Sequence, residues 1–161
     1  MAVTSDSFFG NRGTLAIAGT SNPASATLAV LKGVELNVTF EHAELYGMGS
    51  ILRQDVAKHT AKVEVSLKFA KFDPTITSST FFPYWILNPS ATTSPSGTIE
   101  DTNVVKTFTV TTNWVGTGGR KIQAVVTNVY FESFPMPLPE NDFVVLDMKG
   151  YGDTITFTNP A

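Results

Sequence analysis

Two stretches of strict alternation, separated by an apolar interval too long for a turn, constrain this chain more than any other feature. From Gly33 onward, Val34, Leu36, Val38 and Phe40 alternate with Glu35, Asn37, Thr39 and Glu41. Over 61–69, Val63, Val65, Leu67 and Phe69 alternate with Lys62, Glu64, Ser66 and Lys68. Side chains of a strand point to opposite faces at every second residue, so each stretch reads as a strand with one buried and one polar face. The opposite charges on the two polar faces are expected to pair across an antiparallel ladder. Between them, 43–60 exceeds the two to five residues of a hairpin turn, and it holds Leu45, Tyr46, Met48, Ile51, Leu52 and Val56. A solvated loop rarely carries so many large apolar groups. The interval is read as a long loop whose apolar side chains dock on a neighbour.

The rest of the chain is also strand-like. Residues 1–13 are polar apart from Phe8-Phe9 and read as an N-terminal arm held only by a partner. Short apolar stretches at 14–20 and 26–31 flank the turn-like Ser21-Asn22-Pro23. The one helical signal lies at 77–88, where Ser78, Ser79 or Thr80 can cap and Pro83 fits the first turn. There Phe81, Phe82, Tyr84, Trp85, Ile86 and Leu87 give an apolar face, and Asn88-Pro89 stops it. Further strands are expected at 103–115, 120–133, 142–149 and 154–159. The first two are joined by the glycine-rich Gly116-Thr117-Gly118-Gly119, the last two by Gly150-Tyr151-Gly152-Asp153. The segment 120–133 is apolar on both faces and so expected to be covered on both. The whole predicts one all-β domain over 1–161, a sandwich or barrel of about eight antiparallel strands with one short helix and a long protruding loop.

Composition removes several function classes. Charged residues make up 16% of the chain against about 25% in an ordinary soluble domain, as expected of subunits with large protein contacts. The net charge is −3 and no Lys/Arg block occurs, which argues against tight binding to nucleic-acid phosphates. With no cysteine, disulfides and thiolate metal sites are excluded. The opening Met-Ala-Val-Thr-Ser-Asp-Ser lacks the pattern of a secretory signal, and no apolar run approaches a membrane span of about 20 residues.

No catalytic, cofactor or metal site is expected either. His42 and His59 could face one another across the base of the loop, with Glu41 and Glu44 nearby, but no ligand spacing of a known kind surrounds them. No serine lies in a Gly-x-Ser-x-Gly setting. Glu35, Glu41 and Glu64 read as solvated or salt-bridged positions on polar strand faces rather than a glycosidase pair. The run Gly116–Lys121 lacks the Gly-Lys-Ser/Thr ending of a phosphate loop and precedes a strand. The aromatics at 81–85 read as core.

The segment from Gly33 to Arg53, then Lys62-Val-Glu-Val-Ser-Leu-Lys-Phe-Ala-Lys-Phe-Asp-Pro, resembles the tube proteins of tailed viruses and related contractile injection systems. So does the ending, Asn128-Val-Tyr-Phe-Glu-Ser-Phe-Pro and Asp142 through Asn159. The likeness is one of layout and covers about three quarters of the chain. It implies a structural virion protein made in the host cytoplasm. Its copies would form rings, usually of six, stacked into a hollow tail tube through which DNA is ejected without specific binding. Other tail proteins would be partners and the membrane would not. Leu45, Tyr46, Met48, Ile51, Leu52, Val56, Phe8 and Phe9 would then lie between subunits. Glu35, Asn37, Thr39, Glu41, Glu64 and Ser66 would face the lumen. Other readings are a capsid-decorating protein, the tube of a secretion system, or a β-sandwich binding a sugar or small ligand near Tyr84, Trp85 or Trp114.

Overall fold

The computed structural model describes residues 13–19, 26–28, 30–46, 53–71, 83–91, 98–99, 101–133 and 146–160. Among these, eight strands and one short helix follow in chain order. They are β1 (Thr14–Gly19), β2 (Ala26–Leu28), β3 (Val30–Tyr46), β4 (Arg53–Lys71), α1 (Pro83–Leu87), β5 (Phe108–Val115), β6 (Lys121–Ser133), β7 (Leu146–Gly152) and β8 (Thr154–Thr158). All pair antiparallel in one sheet of order β2-β1-β5-β6-β7-β4-β3, with β8 lying beside β6 below β7.

That sheet curls into a half-barrel because β6 changes partners along its length. Its first half pairs with β5 on one side and β8 on the other; its second half pairs with β7. The change comes at Asn128, whose φ of 53° is a left-handed conformation that Asn tolerates better than most residues. There the ladder to β5 slips, with Phe108 opposite Val129 but Val110 opposite Val126. This is a β-bulge, which bends a strand and steepens its twist. Asn128 Nδ2 donates to Asp153 Oδ2 (2.9 Å), and Asp153 N donates to the Thr127 carbonyl (3.1 Å). The curl is also visible in the connectivity. β2 and β3 lie at opposite ends of the sheet, yet only one residue separates them in sequence. Consecutive Cα atoms are 3.8 Å apart, so the two edges come within about 8 Å at that corner.

The concave side holds one core. Leu15 and Ile17 of β1, Phe108 and Val110 of β5 and Val126 and Val129 of β6 meet Val63, Val65 and Leu67 of β4, Met148 of β7 and Trp85 of α1. Val34, Leu36 and Val38 pack on it from the edge, so the alternation at 34–38 and 63–67 is the buried face it predicted, while the side chain of Phe69 lies outside the described residues. Phe40 breaks the pattern: it is 46% exposed because the core ends at the Val38–Val63 pair.

Several boundaries differ from expectation. The helix occupies Pro83–Leu87, one turn with Pro83 at its first position; 77–82 lie outside the described residues. Both Asn88 N and Asn88 Nδ2 donate to the Tyr84 carbonyl, closing the turn. Trp85 is fully buried and is what fastens so short a helix to the sheet. Residues 103–107 are irregular and the strand begins at Phe108. The connector read at Gly150-Tyr151-Gly152-Asp153 is strand except for Asp153, which alone separates β7 from β8. Its glycines serve close packing rather than a turn. A Cβ on Gly150 would lie 2.5 Å from the Tyr130 carbonyl oxygen, and one on Gly152 would lie 2.4 Å from Val126 Cγ1.

Gly150→Ala should therefore lower stability by about 2 kcal/mol, as overpacking against backbone does. Gly33→Ala, where a Cβ meets nothing within 4 Å, should cost far less in the same urea titration.

Candidate assembly surfaces

β3 and β4 do not stop where the core stops. Their ladder runs on through Thr39–Lys62, Phe40–Ala61 and Glu41–Thr60, then His42–Lys58, Ala43–Ala57, Glu44–Val56, Leu45–Asp55 and Tyr46–Arg53. The interval read as a loop is thus largely a hairpin arm, with only 47–52 outside the described residues. At about 3.3 Å per residue, the eight residues Thr39–Tyr46 carry the arm roughly 25 Å past the core. The sequence hid this because the alternation fails. The ladder has irregularities between Glu41 and His42 and between Leu45 and Tyr46, and each resets the inside–outside phase.

The apolar side chains of the arm that are described stand largely exposed in the subunit. Leu45 is 61% exposed, Tyr46 54% and Val56 38%. Met48, Ile51 and Leu52, and Phe8 and Phe9 of the N-terminal segment, lie outside the described residues. The first slip of register puts His42 opposite Lys58 rather than His59, whose side chain lies outside the described residues. Among the described residues no cluster of His, Asp and Glu could hold a metal ion.

Near its end the arm is held by a small polar clasp. Glu44 accepts from Tyr46 Oη (2.5 Å) and pairs with Arg53 Nη1 (3.2 Å), so the last described rung is tied across both strands. The hydroxyl of Tyr46, then the Arg53 guanidinium, hold the Glu44 carboxyl below its usual value, and the carboxylate in turn raises the Tyr46 phenol.

The convex face of β3, β4 and β7 is charged but largely neutralised. Its rungs read Glu35–Ser66–Lys149 and Asn37–Glu64–Tyr151. Glu64 and Lys68 do pair across a ladder, but with β7 rather than with the facing stretch of β3. Lys149 Nζ lies 2.8 Å from Glu64 Oε1, and Lys68 Nζ lies 3.2 Å from Asp147 Oδ2. Lys62 Nζ sits 3.7 Å over the Tyr151 ring. Glu35, Asn37, Thr39 and Glu41 are exposed, and Glu64 and Ser66 are half-buried. β7 was invisible as part of this face because β4 and β7 are more than seventy residues apart in sequence.

The convex face of β1, β5, β6 and β8 differs in kind. One row, Thr14–Asn113–Gln123–Thr158, is linked by side-chain hydrogen bonds across all four strands. The next holds Ala16, Thr111, Val125 and Thr156. No charge stands in either row. Trp114 and Tyr84, considered as a ligand platform, are only part-exposed. Trp85 lies within the core, its Nε1 without a partner among the described residues.

The clasp should respond to acid. A carboxyl whose folded value is lowered contributes fully above its ordinary 4.5 and loses that contribution as pH falls through the lowered value. The chemical shift of the Tyr46 ring should therefore titrate with a midpoint below 4.5, and Glu44→Gln should remove that transition.

No known family's sequence profile matches the chain, and no curated protein sequence matches it. Solved structures do. A chain of the PVC extracellular contractile injection system sheath–tube complex in the extended state superposes with TM-score 0.67 at 13% identity, covering 96% of this chain and 93% of that one. A chain of the 6-fold symmetrised anti-feeding prophage baseplate gives 0.65 at 8%, covering 98% and 97%. A chain of a gene transfer agent tail computed with C6 symmetry gives 0.56 at 12%, covering 95% and 98%. Over nearly its whole length, then, the chain has the fold found in chains of contractile injection systems and of gene transfer agent tails.

Proposed function

We propose that the chain is a non-enzymatic structural subunit that builds the tube of a virion tail or a related injection device, in rings of six stacked into a hollow cylinder. The observation that carries this reading is the 25 Å-scale arm (about eight residues at ~3.3 Å each), whose Leu45, Tyr46 and Val56 are exposed beyond the last core pair. Apolar groups so presented are the mark of a contact surface. The fold supports it, being that of chains in sixfold injection and tail assemblies. Met48, Ile51, Leu52, Phe8 and Phe9 extend the same contact in this reading, with other tail proteins as further partners.

The edge of β3, unpaired among the described residues, favours lateral joining. It runs without irregularity from Gly33 to Glu41, and it is a terminal strand of the sheet. An edge of that length, with no proline or bulge to blunt it, is kept from indiscriminate pairing when a neighbour closes it. The convex face bearing Glu35, Asn37, Thr39, Glu41, Glu64 and Ser66 is assigned to the lumen. Its cations are occupied by Glu64, Asp147 and Tyr151, while Glu35 and Glu41 have no partner among the described residues. A wall left slightly acidic repels DNA phosphates, so a passing duplex finds nothing to grip.

A second reading is a single terminal ring rather than a repeating tube, favoured by a likeness to the baseplate chain comparable to that to the sheath–tube chain. Electron microscopy of the purified protein separates the two: long tubes support the first, isolated rings the second, and a monomeric particle at high concentration overturns both.

Leu45→Asp should abolish assembly in those images while leaving the monomer's melting temperature within a degree or two. The side chain is exposed in the subunit, and an unpaired charge at a packed interface costs several kcal/mol, roughly.

A further inference from the structure

Past Asp153 the sheet forks. β7 continues into β8 along β6, while β4 departs with β3 as the arm, so the ladder between them ends at the Val63–Gly152 pair. The outer edge of β8 has no strand beside it among the described residues. On the core side of that edge, Ile155 packs on the core, but Phe157 is 61% exposed. A strand laid in the fork would pair with residues 154–158 and cover Phe157.

We infer that this fork is the receptor for the arm, and that its occupant is the arm of a second copy. The inference rests on the assembly reading above and adds where the arm lands. The needs of the two sites match. The fork lacks a strand and an apolar side chain; the arm ends in a paired strand carrying Leu45, Tyr46 and Val56. The charges are compatible: the arm's Glu44 and Arg53 neutralise each other, and Asp55, opposite Leu45, meets no like charge in Thr154–Thr158, which carries none. Neither site is met within one copy, since Leu45 and Phe157 are each 61% exposed. Because every copy carries one arm and one fork, and Leu45 and Val56 belong to a different stretch of the chain from Thr154–Thr158, the contact is head-to-tail and can close into a ring.

The absence of cysteine makes the test clean. Two double variants, Leu45→Cys with Phe157→Cys and Val56→Cys with Phe157→Cys, are oxidised after assembly and run on a denaturing gel. A disulfide requires Cβ atoms about 4 Å apart. At least one pair should give a ladder of covalent oligomers, whereas each single variant should stay monomeric or stop at dimer. Phe157→Asp should raise the concentration needed for assembly by tenfold or more without shifting the monomer's melting temperature. The inference is overturned if rings form and neither pair crosslinks, if the crosslink is intramolecular, or if Phe8→Cys bonds to Phe157→Cys in the arm's place. Those outcomes leave the assembly reading standing; unmodified protein that forms no ring overturns both.

Discussion

The bend shared by Asn128 and Asp153 is the constraint on which the rest of this architecture depends. One bulged residue in a left-handed conformation, tied by its amide to the carboxylate across from it, turns β6 from one half of the sheet to the other. Without that turn the sheet would be open, with apolar residues on one face and nothing to bury them against. With it, Leu15, Ile17, Val110 and Val126 are brought over Val65, Leu67 and Met148, and a single strand serves both walls of the core. Gly150 and Gly152 belong to the same device. They let β7 approach the bent strand at distances that a side chain would forbid.

The fork follows from the bend. A ladder of constant register would have kept β4 alongside the β7–β8 strand to its end and buried the arm's residues in one more rung of the sheet. Because β8 follows β6 into the curl, β4 is left beyond Val63 with β3 as its only partner among the described residues. A two-stranded ribbon is marginal alone in water. Here it is continuous with a ladder anchored in the core and tied near its end by Glu44, Tyr46 and Arg53, which fixes the direction in which its apolar groups are presented.

The two convex faces show how one curled sheet can offer different chemistry on each side. Over β3, β4 and β7, ion pairs and the Lys62–Tyr151 contact keep the surface solvated and nearly neutral. Over β1, β5, β6 and β8, a hydrogen-bonded row of hydroxyls and amides carries no charge. Polar groups that already satisfy one another cost less to bury than free ones. The uncharged face is the cheaper of the two to place against another protein, and the charged one is suited to remain in water.

The sequence by itself determined the strands at 34–40, 61–69 and 120–133, the all-β class, and the presence of an apolar excursion with no evident home. Alternation against a buried face is written locally, residue by residue, and composition marks what that face cannot hold. Tertiary structure alone decided that the excursion is a paired arm, that Gly150-Tyr151-Gly152 is strand, and that Glu64 and Lys68 of β4 pair with β7. Register slips at Glu41–His42 and Leu45–Tyr46 erase the period-two signal over the arm. The glycines take their role from a strand some twenty residues upstream that must approach within contact. Partners in a ladder are chosen by the curl of the whole sheet, and no window of the chain short enough to show a period contains that curl.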